Sequence, residues 1–277
     1  TAEMRDVNQL DHFHLEAYGE QAVNYNRDIE AFPLLKRIIQ RITGGDSFYR
    51  SPTDMGVNRA GFGIVDDAVT REAGKQEIVR RFFRYSCEHA LGLVDRETVE
   101  RIELLMDDMG VTDESRPVVP PAREAAEENR SRGDGNNGIY VGAAVELPDG
   151  SLMTGSNSPL MHAAASLIIR SAKQLAGIPR EKELLPESVI QSIGHLKKDV
   201  LGRKRVSLDV EEALIALAIS ATGDPAAKAA VNSLKDLRGC EVHMTHMPTP
   251  GDEAGLRRLG VNLTSDPNFV SHRLFLP

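Results

Sequence analysis

Apolar residues recur at intervals of three and four along much of the chain, which is the spacing of amphipathic α-helices. The stripes predict helices over residues 28–42, 67–91 and 95–110. Between the first two, residues 50–67 are rich in Gly, Pro and small polar side chains and predict an ordered loop. Residues 1–120 are therefore expected to form a mostly helical unit.

Strand and helix patterns alternate in the second half of the chain. A β-branched run from Ile139, a Pro148-Asp149-Gly150 turn and a second short run predict a β-hairpin. Further helices are predicted from His162, over 186–201, 209–221, 224–237 and 251–260, with short strands at 239–247 and 261–264. The fold class expected for residues 139–277 is thus α/β.

The charged stretch PPAREAAEENRSRGDGNNG separates these two halves. Proline stands at one end, Gly and Asn stand at the other, and charged residues fill the middle. Such a composition is typical of mobile segments. It predicts a mobile linker or insertion over residues 121–138, at the boundary between the two domains.

Composition limits the classes of function. Of the 277 residues, 41% are hydrophobic and 27% charged, and no apolar run approaches the ~18 residues that cross a bilayer. A net charge of −8 argues against a broad nucleic-acid surface. Cys87 and Cys240 form no CxxC motif, so a reducing, cytoplasmic location is expected. The start at Thr1, without Met or a leader, suggests a fragment of a longer protein.

The order hairpin, helix from His162, strand and later helix resembles a cytidine-deaminase-like α/β sandwich. Zinc deaminases need a Glu two residues after this His and paired Cys ligands on the later helix. Here Ala164 replaces the Glu, the later helix begins MPTPGDEAG, and Cys240 stands alone in the preceding strand. No zinc site is predicted. His162 is therefore either a polar group at a helix start or part of a ligand site.

Two further histidines near the C-terminus do not alter this expectation. His243 and His246 are three residues apart on a predicted strand, where side chains alternate between faces. They are expected to face opposite sides and to form no metal pair.

Several stretches carry a family resemblance: DHFHLEAYGEQAVNYNRDIEAFPLL, YRSPTDMGVNRAGFGIVDD, IELLMDDMGVTDESRPVV, ELPDGSLMTG and LRGCEVHMTHM. They resemble the bacterial family called domain of unknown function 1846, across essentially the whole chain. Members of that family are longer and carry an N-terminal Rossmann-like or P-loop-like domain. The resemblance thus implies that this chain is the C-terminal portion alone, with a deaminase-like second domain and no assigned activity.

The densest polar constellation lies in the first unit. The loop RSPTDMGVN combines a cation, hydroxyl donors and backbone amides, which a small anionic ligand requires. The ligand-binding candidates are Tyr25, Asn26, Arg27, Arg50, Ser51, Thr53 and Asn58. The acid–base candidates are His14, Glu16 and Asp54. The alternative is that these groups only satisfy local turns.

Two hypotheses remain open at this point. In the first, the chain is part of an enzyme that binds a nucleotide or phosphorylated small molecule, with residues 12–58 completing the pocket. In the second, it is a non-catalytic assembly or ligand-sensing protein in which a metal-less deaminase-like unit serves for packing. A homo-oligomer without nucleic-acid or membrane partners is expected, and no cofactor is expected within this chain.

Overall fold

The computed structural model describes residues 67–270, which form a mixed α/β structure with eight α-helices and one four-stranded sheet. The helices are α1 (Asp67–Ala90), α2 (Arg96–Met109), α3 (Val119–Arg132), α4 (Ala163–Leu175), α5 (Glu187–His195), α6 (Val210–Ser220), α7 (Pro225–Ser233) and α8 (Pro250–Leu259). The strands are β1 (Gly142–Glu146), β2 (Leu152–Ser156), β3 (Glu241–Met244) and β4 (Asn262–Ser265). Among these helices, none has both the length and the apolar character required to cross a membrane.

The chain divides into two compact units. Within the described residues, the first unit comprises 67–82 and Arg96–Thr112, and the second comprises Phe83–Asp95 and 113–270. In the first unit, α1 and α2 occupy the predicted helical ranges, and Ile78 and Ile102 are among their buried residues. The predicted helix over 28–42 and nearly all of the loop 50–67 lie outside the described residues.

The sheet of the second unit has the strand order β2-β1-β3-β4. β1 pairs antiparallel with both β2 and β3, whereas β3 pairs parallel with β4 through the α8 crossover. The predicted hairpin is confirmed, and Gly150 at its turn has a φ of 81°, a left-handed conformation that glycine adopts without steric cost. The predicted order of two strands, helices, strand, helix and strand is likewise confirmed.

Helices cover both faces of this sheet. On one face, buried Ala143 and Val145 of β1 belong to the main apolar core with residues of α4 and α6, whereas Ala144 forms a smaller cluster with Val118 and Ala122 beside α3. The contact with α3 is very close, since a Cβ on Gly142 would lie 2.0 Å from the backbone oxygen of Ala122. Only glycine fits there.

Helix α3 lies where the sequence predicted a mobile linker or insertion over 121–138, so that prediction is wrong for the helical residues. Prolines at its first positions and Gly133 at its C-cap, with a φ of 70°, are helix start and stop signals. Its buried residues are Val119, Ala122, Ala125 and Asn129, of which two are alanine. Small side chains allow the close contact with β1. They also give only a weak periodic pattern of apolar residues in the sequence.

Candidate functional site

A pocket with about 500 Å³ of empty space, part of it open to solvent, lies in the second unit. Four segments and one further residue line it: 136–141, 157–163, 205–207, 244–252 and Val270. The pocket therefore lies beside the N-termini of α4 and α8, whose first residues belong to two of these segments.

His162 stands at the N-cap of α4, where the sequence predicted that a helix begins. Its backbone is extended (φ −69°, ψ 157°), and its N–H donates to the Leu208 carbonyl at 2.8 Å. The imidazole forms no cap hydrogen bond with its own helix. Instead, Nδ1 lies 2.7 Å from Oδ2 of Asp252, in the first turn of α8. His162 thus has a specific carboxylate partner at the wall of the pocket.

The carboxylate of Asp252 joins the starts of three helices. The residue is only 2% exposed. Oδ2 accepts a hydrogen bond from Thr249 Oγ1 at 2.7 Å as well as contacting His162, and Oδ1 accepts from the Val210 backbone N–H at 3.1 Å. Thr249 is the N-cap of α8 and Val210 the first residue of α6. Helix N-termini carry partial positive charge, so this position stabilises a negative group.

Because an ionised carboxylate only accepts hydrogen bonds, its partner Nδ1 carries the proton in the neutral imidazole. Nε2 of His162 is then an acceptor, and the residue lines the pocket with 21% of its side chain exposed. Within 67–270, the structure gives Nε2 no hydrogen-bond partner. This arrangement is suited to general acid–base proton transfer.

Close packing between α6 and α8 sets the position of Asp252. Asp209 and Glu212 form a reciprocal capping box at the start of α6. A Cβ on Gly251 would lie 2.1 Å from an oxygen of Asp209, and one on Gly255 would lie 2.5 Å from a methyl of Val210. Burial raises the pKa of Asp209. Glycines at 251 and 255 therefore allow α8 to bring Asp252 up to Val210.

The pocket wall combines apolar side chains with a polar rim. Three thioethers, those of Met161, Met244 and Met247, line it. At the rim, Arg205 Nη2 donates to the Val270 carbonyl at 3.2 Å. Methionine side chains adapt to ligands of different shape, and a cation at the rim favours a ligand that carries negative charge.

Asn157 also lines the pocket, but three of the four hydrogen-bond positions of its amide are taken by neighbouring protein groups. Its Oδ1 accepts from the Val141 N–H at 2.7 Å and from Asn129 Nδ2 at 2.9 Å, and its own Nδ2 donates to the Ile139 carbonyl at 2.9 Å. This network connects α3 to the segment that precedes β1. Asn157 therefore shapes the pocket and has little capacity left for a ligand.

In the described part of the chain, no group of three or more His, Cys, Asp or Glu side chains is arranged to hold a metal ion. Cys240 is buried, its thiol points to the Asp236 carbonyl at 3.6 Å, and burial raises its pKa. His243 is buried on β3 and its Nδ1 lies 2.9 Å from Thr264 Oγ1. His246 lies beyond the end of β3, not on the strand as predicted.

His243 belongs to a buried polar cluster at the ends of β3 and β4. Its ring packs against Phe83 with centroids 4.6 Å apart, and Nε2 lies 3.5 Å from Oδ1 of Asp266. Burial lowers the pKa of His243. Burial acts to raise the pKa of Asp266, but hydrogen bonds with His243 and Arg123 outweigh it, so the net shift is downward. Arg123 binds both oxygens of Asp266, at 3.2 and 2.8 Å.

The site residues proposed from sequence in the first unit lie outside the described residues. They are His14, Glu16, Tyr25, Asn26, Arg27, Arg50, Ser51, Thr53, Asp54 and Asn58. Sequence reasoning missed Asp252. The available signal was TPGD at positions 249–252, a threonine N-cap followed three residues later by a carboxylate.

Comparison with known proteins gives matches across the whole chain. The family model described as domain of unknown function DUF1846, N-terminal, matches residues 1–110, and the corresponding C-terminal model matches residues 114–275. The expectation of a C-terminal portion alone is not confirmed, because the N-terminal model also matches.

Curated relatives from clostridia show the same extent of similarity. A UPF0371 protein of Clostridium botulinum (strain Langeland) is 47% identical over 275 residues, and one of Clostridium tetani (strain Massachusetts) is 45% identical over 275 residues. Each alignment covers 99% of this chain and 55% of the relative. The chain thus spans about half the length of these relatives.

Proposed function

The chain belongs to the family described as domain of unknown function DUF1846, and from that premise we propose that it is part of an enzyme that binds a nucleotide or another phosphorylated small molecule beside His162. The observation that carries this proposal is the 2.7 Å contact between His162 Nδ1 and Asp252 Oδ2 at the wall of a pocket. An imidazole oriented by a buried carboxylate is a common acid–base device.

In the proposed reaction, Nε2 of His162 accepts a proton from a bound hydroxyl, amine or water and later returns it. Asp252 fixes the ring orientation and stabilises the imidazolium that forms during the transfer. Thr249 donates to the same carboxylate oxygen and limits its movement. The chain's own contribution is therefore a base whose orientation is fixed by a buried carboxylate.

A ligand with an anionic group and a flat apolar part suits the pocket walls. The N-termini of α4 and α8 and the guanidinium of Arg205 favour negative charge, although the whole chain carries a net charge of −8. The methionine wall of Met161, Met244 and Met247 suits an apolar or heterocyclic group. A nucleotide combines these two properties.

Isothermal titration with AMP, UMP and inorganic phosphate tests the proposal in wild-type protein and in His162→Gln. We expect at least one nucleotide to bind, with about tenfold weaker affinity in the variant, which corresponds to ~1.4 kcal/mol. His195→Gln is the matched control. His195 also contacts a carboxylate, that of Asp199 at 2.8 Å, but it is exposed and does not line the pocket. No binding by any probe, or equal binding by both variants, contradicts the proposal.

The polar segment of the first unit remains a separate prediction. Arg27, Arg50, Ser51 and Thr53 are among the residues expected to bind a small anionic ligand. Asp54→Ala and Arg27→Ala variants, titrated with the same nucleotides, test that contribution. Unchanged affinity in both variants would contradict this prediction.

A non-catalytic role in assembly or ligand sensing is the second candidate, and exposed apolar side chains favour it. Ile215 and Ile219 are four residues apart on α6 and are 60% and 51% exposed, and Val200 and Leu201 are 71% and 56% exposed. Such side chains suit an interface between copies of the chain. Light scattering on wild type and Ile215→Lys tests this role, which predicts an oligomer that the variant disrupts. A wild-type monomer would argue strongly against it.

We also propose that the second unit has a cytidine-deaminase-like architecture without a zinc site. The order of its elements and the two helices that begin at His162 and Thr249 support this assignment. His162, at the start of the first of these helices, is hydrogen-bonded to Asp252 in the first turn of the second. Elemental analysis of the purified protein tests the absence of zinc.

A further inference from the structure

We propose that Lys197 is a positioning residue that fixes both members of the His162–Asp252 pair from outside the pocket. Lys197 lies in a short π-helical turn, Leu196–Val200, that directly follows α5. Its side chain is nevertheless buried, with 5% of the residue exposed. π-Helical turns are rare and often occur near functional sites, where they redirect a side chain.

The ammonium of Lys197 makes two short polar contacts. Nζ donates to the Ser207 carbonyl at 2.6 Å and lies 2.5 Å from Oε2 of Glu212. A buried ammonium is costly unless a carboxylate and further acceptors surround it. Both kinds of acceptor are present, so Lys197 connects the turn after α5 with the segment before α6 and with α6 itself.

A chain of hydrogen bonds through Ser207 and Leu208 links Lys197 to the backbone of His162. The next residue, Leu208, donates its N–H to the Leu160 carbonyl at 2.8 Å and accepts from the His162 N–H at 2.8 Å. Leu208 and Met161 form a parallel β-bridge. The lysine therefore anchors the short segment 207–208, against which the start of α4 is hydrogen-bonded.

A second set of contacts, through Glu212 and the start of α6, links the same ammonium to Asp252. Oε2 of Glu212 also accepts the N–H of Asp209 at 3.1 Å and so completes the capping box of α6. The first residue of that helix, Val210, donates its N–H to Oδ1 of Asp252. A single buried cation thus holds the two backbone segments that position the imidazole and the carboxylate.

Amide hydrogen exchange measured by NMR tests this role in the Lys197→Met variant. We expect the amides of His162 and Leu208 to exchange at least about tenfold faster than in wild type, while amides of the central strands such as Val242 change little. Lys198→Met is the matched control, since Lys198 lies in the same turn but is exposed. It should leave all these rates unchanged.

The spectroscopic signature of the pair gives a second readout. The Nδ1–H proton of His162, expected at low field because it is hydrogen-bonded to a carboxylate, should broaden or disappear in Lys197→Met and persist in Lys198→Met. If Lys197→Met does not fold, Glu212→Gln, which weakens the same contact while keeping the ammonium, is measured in its place. Unchanged exchange rates, or a uniform increase over all amides, overturns the proposal.

A contribution of Lys197 to catalysis rests on the proposed function. The hydrogen-exchange and Nδ1–H measurements, however, require no ligand. If nucleotides fail to bind and the exchange of His162 and Leu208 still responds to Lys197→Met, the proposed function fails and the positioning role stands. If nucleotides bind and the exchange does not respond, the positioning role alone is wrong.

Discussion

His162 Nδ1 and Asp252 Oδ2 lie 2.7 Å apart although 90 positions separate the two residues in the chain. The contact joins the N-cap of α4 to the first turn of α8, and the carboxylate also accepts the first backbone N–H of α6. A buried acceptor with three donors is costly to remove, because each donor is left without its partner.

Asp252→Ala should lower the free energy of unfolding by about 2–4 kcal/mol, since Thr249, His162 and the Val210 N–H all lose their acceptor. Urea unfolding followed by circular dichroism measures the change. Asp199→Ala is the control, because Asp199 also contacts a histidine but is exposed, and it should cost at most about 0.5 kcal/mol. Equal effects of the two substitutions would show that the buried carboxylate has no special structural role.

Gly251→Ala should destabilise the protein by about 1–3 kcal/mol, because the new methyl group would overlap the Asp209 carboxylate that caps α6. Thermal unfolding gives the measurement. Gly194→Ala provides the comparison. Gly194 lies in α5, and a Cβ at this position would meet only the side chain of Val206, at 3.7 Å. That helical substitution should be neutral or stabilising by up to about 1 kcal/mol. A stable Gly251→Ala protein would contradict the close packing of α6 and α8.

Stability should fall as the pH drops below about 6.5, the pKa of an unperturbed histidine. Burial lowers the pKa of both His243 and His246, so the unfolded chain takes up protons in this range while the folded chain does not. The stabilisation is complete above the unfolded pKa and is lost as the pH falls towards the folded pKa values. Urea unfolding at several pH values between 7.5 and 5 measures this dependence.

The variant His243→Gln should show a smaller loss of stability between pH 7.5 and 5 than wild type, because one of the buried histidines no longer titrates. His195→Gln, which replaces an exposed histidine, should retain the wild-type dependence. The lowered pKa of Asp266 adds a further loss of stability only at more acidic pH, near the titration of free aspartate at about 3.9. Identical profiles for wild type and His243→Gln would contradict the assignment.

Arg116→Ala should destabilise the second unit by about 3–5 kcal/mol, the range found when one partner of a buried ion pair is removed. Arg116 is fully buried, pairs with Glu241 and donates to the carbonyls of Val242 and Asn262, at 3.0 and 2.6 Å. It therefore holds β3 and β4 together. Arg257→Ala removes an exposed helical pair and should cost at most about 0.5 kcal/mol in the same urea experiment.

Elemental analysis of protein purified without chelators should give much less than one zinc ion per chain. The paired cysteine ligands and the proton-transferring glutamate of a deaminase site are missing from the expected positions in the sequence, and His162 is already hydrogen-bonded to Asp252. One zinc per chain in wild type, lost in both His162→Gln and Cys240→Ser, would show that a metal replaces this hydrogen bond.

Local signals account for the elements that the sequence predicted well. The hairpin follows from two apolar runs around a Pro-Asp-Gly turn, and α6 follows from a capping aspartate, Asp209, before an apolar run. Helix α3 was missed because half of its buried residues are alanine and because its helix signals, proline at the start and Gly133 at the end, were interpreted as loop composition. A close helix–strand contact selects small residues, and these give a weak periodic pattern.

The sequence indicated one residue of the candidate site, His162, but not its partner Asp252. His162 was a candidate because of its position at a predicted helix start, but no neighbouring residue identified a partner. It could therefore be either a polar group at a helix start or part of a ligand site. Asp252 lies in a predicted helix whose first turn contains several polar residues. Choosing this carboxylate requires the distance between two helices, which depends on the glycines at 251 and 255 and on their contacts with Asp209 and Val210.

The sequence by itself determined the family, the mixed α/β class, the order of most helices and strands, and the absence of a deaminase ligand set near His162. These properties depend on residue identity and on spacing over a few turns, which the chain encodes locally. Only the tertiary structure decided that Asp252 pairs with His162, that Lys197 is buried and that α3 packs on β1. Such contacts join residues distant in sequence, and their formation depends on how closely particular backbones can approach.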